Sequence, residues 1–324
     1  AHAENEIREL ADLMQIPVIT TMMGISVFPD DDQLFCGMIG THGVKMANAA
    51  VNECDVLFLV GARVGDRAVK TPLALEKTTK IIHIDIDPAE IGKNIGADLP
   101  LVGDAKLVLQ QMTELAKPMK HDEWIAHIKT LGGERKYVEP AKGTVNPRVF
   151  IDRLAKRMPA NVTVVADVGQ NQIWTCTEYK FRKEGRLLTS GGMGTMGYSV
   201  PAAIGAKMAD NSRATVAICG DGAFQMSFME LATAVQFGVD IKVVVMTNNR
   251  LGMVRELQTN GYHDRQTAVF LDGSPDFIKL AEAYGIPAMR VYDDDTMDKG
   301  IEMLAEHKGI CLVEVVVDKD MPTL

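Results

Sequence analysis

What this sequence has little of narrows its function before any motif is read. No run of Lys and Arg occurs in its 324 residues, and 43 Asp and Glu outnumber 34 Lys and Arg, for a net charge of −9. Gripping nucleic acid or an anionic membrane takes a concentrated basic patch that neutralises phosphate, so neither partner is expected. No apolar run approaches the roughly 18 residues of a membrane span. Residues 1–20 also lack the basic-then-apolar order of a signal peptide. Five cysteines, Cys36, Cys54, Cys176, Cys219 and Cys311, are scattered without a CxxC pair or zinc-ligand spacing. The expected setting is a reducing cytoplasm.

What is present points to a globular α/β protein. The length suffices for two domains, each with its own core, and 47% of the residues are hydrophobic. The 19 Met are read as adaptable core filler. Short apolar, β-branched runs recur at Pro17–Thr21, Val56–Val60, Ile81–Ile86, Val162–Ala166, Thr215–Cys219, Ile241–Met246 and Cys311–Val317, with helical patterns between them. Runs of this kind are strands buried on both faces, the mark of parallel sheets with helices outside. The polar stretch 119–145 separates two such blocks. It carries Gly132-Gly133, Pro140 and Gly143, plus one amphipathic helical segment around Trp124, and reads as a connector. The expected architecture is two doubly wound parallel-sheet α/β domains, 1–118 and 146–324.

Gly192, Gly194 and Gly197 spell GxGxxG after a short strand-like run, Arg186–Thr189, and before a helix from about Ser199. Asp221 follows Gly197 by 24 residues, so a dinucleotide fingerprint is one reading. The next segment weighs against it. Gly220-Asp221-Gly222 ends one strand, 25 residues follow, and Asn248-Asn249 ends the next. Adjacent parallel strand ends then offer a carboxylate and an amide at one edge, which suits a hard cation. Mg²⁺ takes oxygen ligands in octahedral order and keeps phosphate and water among them. Asp221, Asn248 and the carbonyl of Arg250 are the candidate ligands, and a helix opening at Ala223 would favour an anion.

GDG, some two dozen residues and NN form the signature of thiamine diphosphate enzymes, and the chain resembles that family. Within it, the stretches Asn248–Val254, Gly194–Tyr198, Pro201–Ala206, Val60–Arg67 and Ile82–Asn94 are similar to motifs of the acetohydroxyacid (acetolactate) synthase catalytic subunits. The resemblance implies that the glycine turn meets thiamine. Gly194 would contact the aminopyrimidine, Thr195 and Met196 would hold the bent cofactor, and Gln170 and Asn171 would reach its diphosphate. Asp221, Gly222, Ala223, Asn248, Arg250, Leu251, Gly252 and Met253 would complete the diphosphate and Mg²⁺ site. It further implies FAD in the first domain, lined by Thr21, Met22, Gly40, Thr41, His42, Gly61, Ala62, Arg63, Asp85, Ile86 and Asp104.

The implied reaction decarboxylates pyruvate and joins it to a second 2-keto acid, pyruvate or 2-ketobutyrate, in branched-chain amino acid biosynthesis. Arg67 is assigned to the second substrate's carboxylate, because a guanidinium fork matches that group. Leu257 stands where the family commonly has a Trp closing the pocket, Val64-Gly65 where it has Phe-Asp, Thr41 where it has Met, and Asn171 where it has His. The family's pyrimidine-binding domain, which supplies a glutamate to N1′ of the cofactor, is not recognisable within Ala1–Leu324. The chain by itself is therefore expected to be inactive, with that domain supplied by a longer chain or another subunit. A homodimer or tetramer and a regulatory subunit are the implied partners. The alternatives are another thiamine diphosphate carboligase, a 2-keto-acid decarboxylase, or a non-catalytic nucleotide-binding module.

Overall fold

The computed structural model describes residues 1–133 and 137–323. The chain divides into two compact units, Ala1–Arg135 and Lys136–Leu324. Each is α/β, and every strand pair among the described residues is parallel.

In the first unit β1 (Val18–Thr20) pairs with β2 (Phe35–Met38), while β3 (Val56–Val60), β4 (Lys80–Asp85) and β5 (Leu99–Val102) form a sheet in that order. Side chains alternate across a strand, so Ile81 and Ile84 enter different cores. Ile81 joins Val51, Leu59, Leu75 and Ile95, whereas Ile84 joins Leu10 and Leu109 of the flanking helices Glu4–Met14 and Ala105–Leu115. The stretch 119–145, read as a connector, contains the helix Asp122–Leu131, and this helix packs on Lys45–Glu53. Trp124 and Ile128 lie one turn apart and cover Cys36, Met46 and Ala50. The division between the units falls beyond that helix, at Arg135 and Lys136.

The second unit carries β6 (Thr163–Ala166), β7 (Arg186–Thr189), β8 (Thr215–Gly220), β9 (Lys242–Thr247), β10 (Ala288–Val291) and β11 (Cys311–Val316). Their order is β10-β11-β9-β8-β6-β7. Nearly every residue of the inner strands β6, β8, β9 and β11 is buried, which is why they read as nearly continuous apolar runs. From β6 the chain moves outward to β7; from β8 it moves the other way, to β9. The boundary between β6 and β8 is therefore a topological switch point, where loops leaving the carboxyl ends diverge and open a crevice. No helix among the described residues is long and apolar enough to cross a membrane.

Candidate active site at the switch point

All six strands of the second sheet run the same way, so the segments leaving their carboxyl ends meet at one edge. Asp167 follows β6, Ser190 follows β7, Asp221 follows β8, Asn248 follows β9, and Met321 to Thr323 lie beyond β11.

Asp221 is buried, and three backbone amides point at its carboxylate. Oδ1 accepts from Gly222 N at 2.8 Å, while Oδ2 accepts from Asn248 N at 3.1 Å and Asn249 N at 2.6 Å. Asn249 has φ 53°, a left-handed conformation that Asn tolerates better than most residues. Burial pushes the Asp221 carboxyl up to about 6, against the opposing pull of these amides. A cation alongside would restore the ionised form.

Asn248 presents its oxygen in a fixed direction. Its Oδ1 accepts from Arg250 N at 3.1 Å, and its Nδ2 donates to Gln170 Oε1 at 3.2 Å. The carbonyl of Asn249 accepts from Leu271 N and the amide of Leu251 donates to Val269 O, which ties this loop to the Arg250–Phe270 bridge and leaves the Arg250 carbonyl outside it. The Arg250 guanidinium turns away to Asp272 at 2.8 Å and stacks over Phe270. Gly252 opens the next helix beside Gln170. A Cβ there would lie 1.9 Å from Gln170 Oε1, so only glycine admits this approach.

Among the described residues no three His, Cys, Asp or Glu side chains cluster as a metal site. The donor set is one carboxylate with neutral amide and carbonyl oxygens. That set fits Mg²⁺ completed by diphosphate and water better than a metal held wholly by side chains. The helix expected after Asp221 is a single turn, Asp221–Phe224, so its dipole adds little. A longer helix, Gln170–Glu178, begins at the switch point and carries the larger dipole.

The glycine turn lies beyond β7. Gly194, at φ 65°, donates to Ser190 O, and Thr195 N donates to Ser190 Oγ at 3.1 Å. Met196 is half-buried against the core of the unit, and Ala223 is buried within it. The anchor of this turn is Asp167, to which the sequence reading gave no role. Its fully buried carboxylate accepts from Val168 N, Gly197 N and Ser199 N at 2.9, 3.0 and 2.7 Å. An acid placed directly after an all-apolar strand was the available signal.

Two neighbours of the site differ in detail from expectation. Asn171 spends its side-chain nitrogen on the carbonyls of Asp167 and Ile218, at 2.8 and 3.2 Å, leaving no side-chain donor for a diphosphate. Gln170 is likewise engaged, its nitrogen facing Glu256 Oε2 and Met321 O at 3.0 Å each. Met253 sits half-buried in the first helical turn after Leu251, and Leu257 is 55% exposed one turn further on.

In the first unit the expected residues stand beyond strand carboxyl ends: Thr21 and Met22 after β1, Gly40 to His42 after β2, Gly61 to Arg63 after β3, Asp85 and Ile86 at the end of β4, and Asp104 after β5. Thr41 N donates to Arg67 O at 2.9 Å, joining the β2 and β3 loops, and the Arg67 side chain is exposed. Gly40 exchanges two 3.0 Å hydrogen bonds with Asn48, and the Arg63 carbonyl accepts from Asn94. Asp104 caps the helix Ala105–Leu115 through Lys106 N and Leu107 N, so that carboxylate oxygen has structural work. Asp85 Oδ1 accepts from Asp87 N, and Ile86 is 70% exposed.

Residues 1–112 match the family model described as thiamine pyrophosphate enzyme, central domain. Residues 167–315 match that of the C-terminal TPP binding domain. The chain is 39% identical over 327 residues to a probable acetolactate synthase large subunit of Methanocaldococcus jannaschii, covering 98% of this chain and 55% of that one. It is 36% identical over 314 residues to the acetolactate synthase large subunit of Lactococcus lactis subsp. lactis, covering 96% and 54%. Against an acetolactate synthase of Arthrospira platensis the identity is 39% over 335 residues, covering 99% and 57%. The chain spans about half the length of the curated relatives it matches. With both domain matches falling on the two α/β units, and with the switch-point loops inside the second match, the chain belongs to the thiamine pyrophosphate enzymes.

Proposed function

We propose that this chain holds thiamine diphosphate through Mg²⁺ at the switch-point edge and serves the acetolactate synthase reaction. The carrying observation is the pairing of Asp221 and Asn248 on adjacent ends of β8 and β9, with three backbone amides fixing the carboxylate. Asp221, Asn248 and the Arg250 carbonyl hold the cation. The bound cofactor supplies an electron sink for decarboxylation of a 2-keto acid. This chain's part is to orient it: the turn at Gly194 and Thr195 meets the ring system, while Met196, Leu251 and Met253 provide apolar surface that keeps water away. Arg67 recognises the carboxylate of the second substrate, pyruvate or 2-ketobutyrate, and the small Leu257 leaves room beside its substituent. FAD is the proposed ligand of the first unit's strand-end loops. Homodimer or tetramer assembly and a regulatory subunit complete the reading, which follows from likeness to proteins named as large subunits.

Calorimetric titration of the purified protein with thiamine diphosphate tests the central point. Saturable uptake is expected with Mg²⁺ and none after chelation; absence of uptake in both conditions would replace this reading with a non-catalytic module. With the pyrimidine-binding domain supplied by a longer chain or another subunit, incubation with pyruvate is expected to yield acetolactate, and acetaldehyde alone would make the assembly a decarboxylase; Ala1–Leu324 by itself is expected to give neither product. Flavin is checked separately, by absorbance and by FAD released on denaturation. A colourless protein that FAD does not bind removes flavin from the first unit.

A further inference from the structure

Glu256 lies in the helix Gly252–Gly261, one turn from the loop that carries Asn248. Its carboxylate is engaged with groups distant in sequence: Oε2 accepts from Gln170 Nε2 at 3.0 Å and from the Thr323 hydroxyl, and Oε1 accepts from Thr323 N at 3.2 Å. The same Gln170 nitrogen faces Met321 O at 3.0 Å and Thr323 Oγ1 at 3.3 Å.

The consequence runs through two amides. A carboxylate and a backbone carbonyl only accept, so the end of Gln170 that faces them must be its NH₂. Reversal would set oxygen against oxygen in a buried place, where an unmet polar group is costly. With its nitrogen committed, Gln170 directs Oε1 at Asn248, which must answer with Nδ2, at 3.2 Å. Asn248 then has its oxygen on the other end, toward Arg250 N and the Asp221 edge. An amide ligates a hard cation through oxygen alone, so this orientation decides whether Asn248 can serve.

We infer that Glu256 is a positioning residue for the cation site: through Gln170 it holds Asn248 with its oxygen toward the metal. The inference rests on the proposed cation at Asp221 and Asn248. It is an outer-shell role, of the kind whose loss typically weakens metal binding 10–100-fold.

Mn²⁺ serves as the probe, with thiamine diphosphate held constant and free ion read by electron paramagnetic resonance. Glu256→Ala is expected to weaken Mn²⁺ uptake by about 10-fold or more, and Glu256→Gln, which retains one acceptor oxygen, by less. Water-proton relaxation should report about one more water on the bound Mn²⁺ of Glu256→Ala, as an amide oxygen gives way to solvent. Thr323→Val is the structural control. It removes the hydroxyl bond to the same carboxylate and the 3.3 Å bond from Gln170, but keeps the Thr323 N–H on Glu256 and leaves Glu256 and the Met321 carbonyl on Gln170, so thermal stability should fall while Mn²⁺ affinity holds. Mn²⁺ affinity of Glu256→Ala within twofold of the parent, or an equal loss in Thr323→Val, overturns the assignment. If the parent itself takes up no Mn²⁺ with the cofactor, the cation site fails, and this role for Glu256 fails with it.

Discussion

Asp221→Ala is expected to abolish Mg²⁺-dependent uptake of thiamine diphosphate while leaving the metal-free fold nearly as stable as before. The first half follows from the donor set, in which Asp221 contributes the charged oxygen beside the uncharged Asn248 and Arg250 carbonyl oxygens. Loss of a direct ligand should exceed the ~10–100-fold effect of losing an outer-shell partner. The second half follows from two opposing terms. Truncation strands the N–H groups of Gly222, Asn248 and Asn249, each costing roughly 1–3 kcal/mol where water cannot reach it. It also removes a carboxylate that burial holds up at about 6, which is costly to keep ionised at neutral pH. Thermal unfolding with and without cofactor plus Mg²⁺ separates the two. The parent should melt higher when both are present, because ligands that bind only the folded state stabilise it by mass action. The variant should show no such rise. An unchanged cofactor-induced shift in Asp221→Ala would remove Asp221 from the site.

Asp167 carries the second large effect, and it has the opposite character. Its carboxylate never needs to touch cofactor, yet it ties Val168, Gly197 and Ser199 together from a fully buried position. Asp167→Ala leaves three buried donors unmet and frees the glycine turn from β6. A loss of about 3–5 kcal/mol is expected, on the order of 10 °C in Tm for a unit of this size. Asp167→Asn keeps one acceptor but sets an NH₂ against backbone N–H groups, so it should fall between. Cleavage near Met193 by a protease, read by mass spectrometry, should accelerate in both variants. If Asp167→Ala melts within two or so degrees of the parent and the turn stays resistant, the carboxylate is not the anchor.

The parts of this fold that were legible in the sequence are those whose environment is uniform. β6, β8, β9 and β11 are buried on both faces, and burial of both faces leaves mostly apolar residues in a row, interrupted by the paired Lys242 and Glu314. Among the strands at sheet margins, β1, β3 and β7 were legible, but β2, β5 and β10 were not. β5 contains Pro100 and is largely exposed, β10 places Arg290 outward to pair with Glu314 and Asp276, and β2 is broken by Gly37. Each mixes signals that local patterning assigns to loops. The site divides similarly. Asp221 and Asn248 announce themselves because the glycines and the second asparagine beside them are local backbone requirements. Asp167 and Glu256 do not, since Asp167 reaches Gly197 across 30 residues and Glu256 reaches Gln170 across 86, and no periodicity encodes such a meeting. Asn171 and Asp104 show the complementary point, since the sequence does not reveal that the Asn171 amide nitrogen and one Asp104 carboxylate oxygen are engaged by the protein itself.

The strand order of the second unit bears on how the protein is made. β11 is the sixth of its strands to emerge from the ribosome, yet it belongs between β9 and β10. Until Cys311–Val316 is synthesised, β9 has one open flank and β10 has no strand to pair with. For that interval the nascent chain presents an unprotected, strongly apolar edge, the kind of surface that recruits chaperones or invites pairing with a neighbouring chain. Closure of the slot by β11 is what ends the exposure, so the pace of synthesis through Cys311–Val316 sets how long this unit is vulnerable.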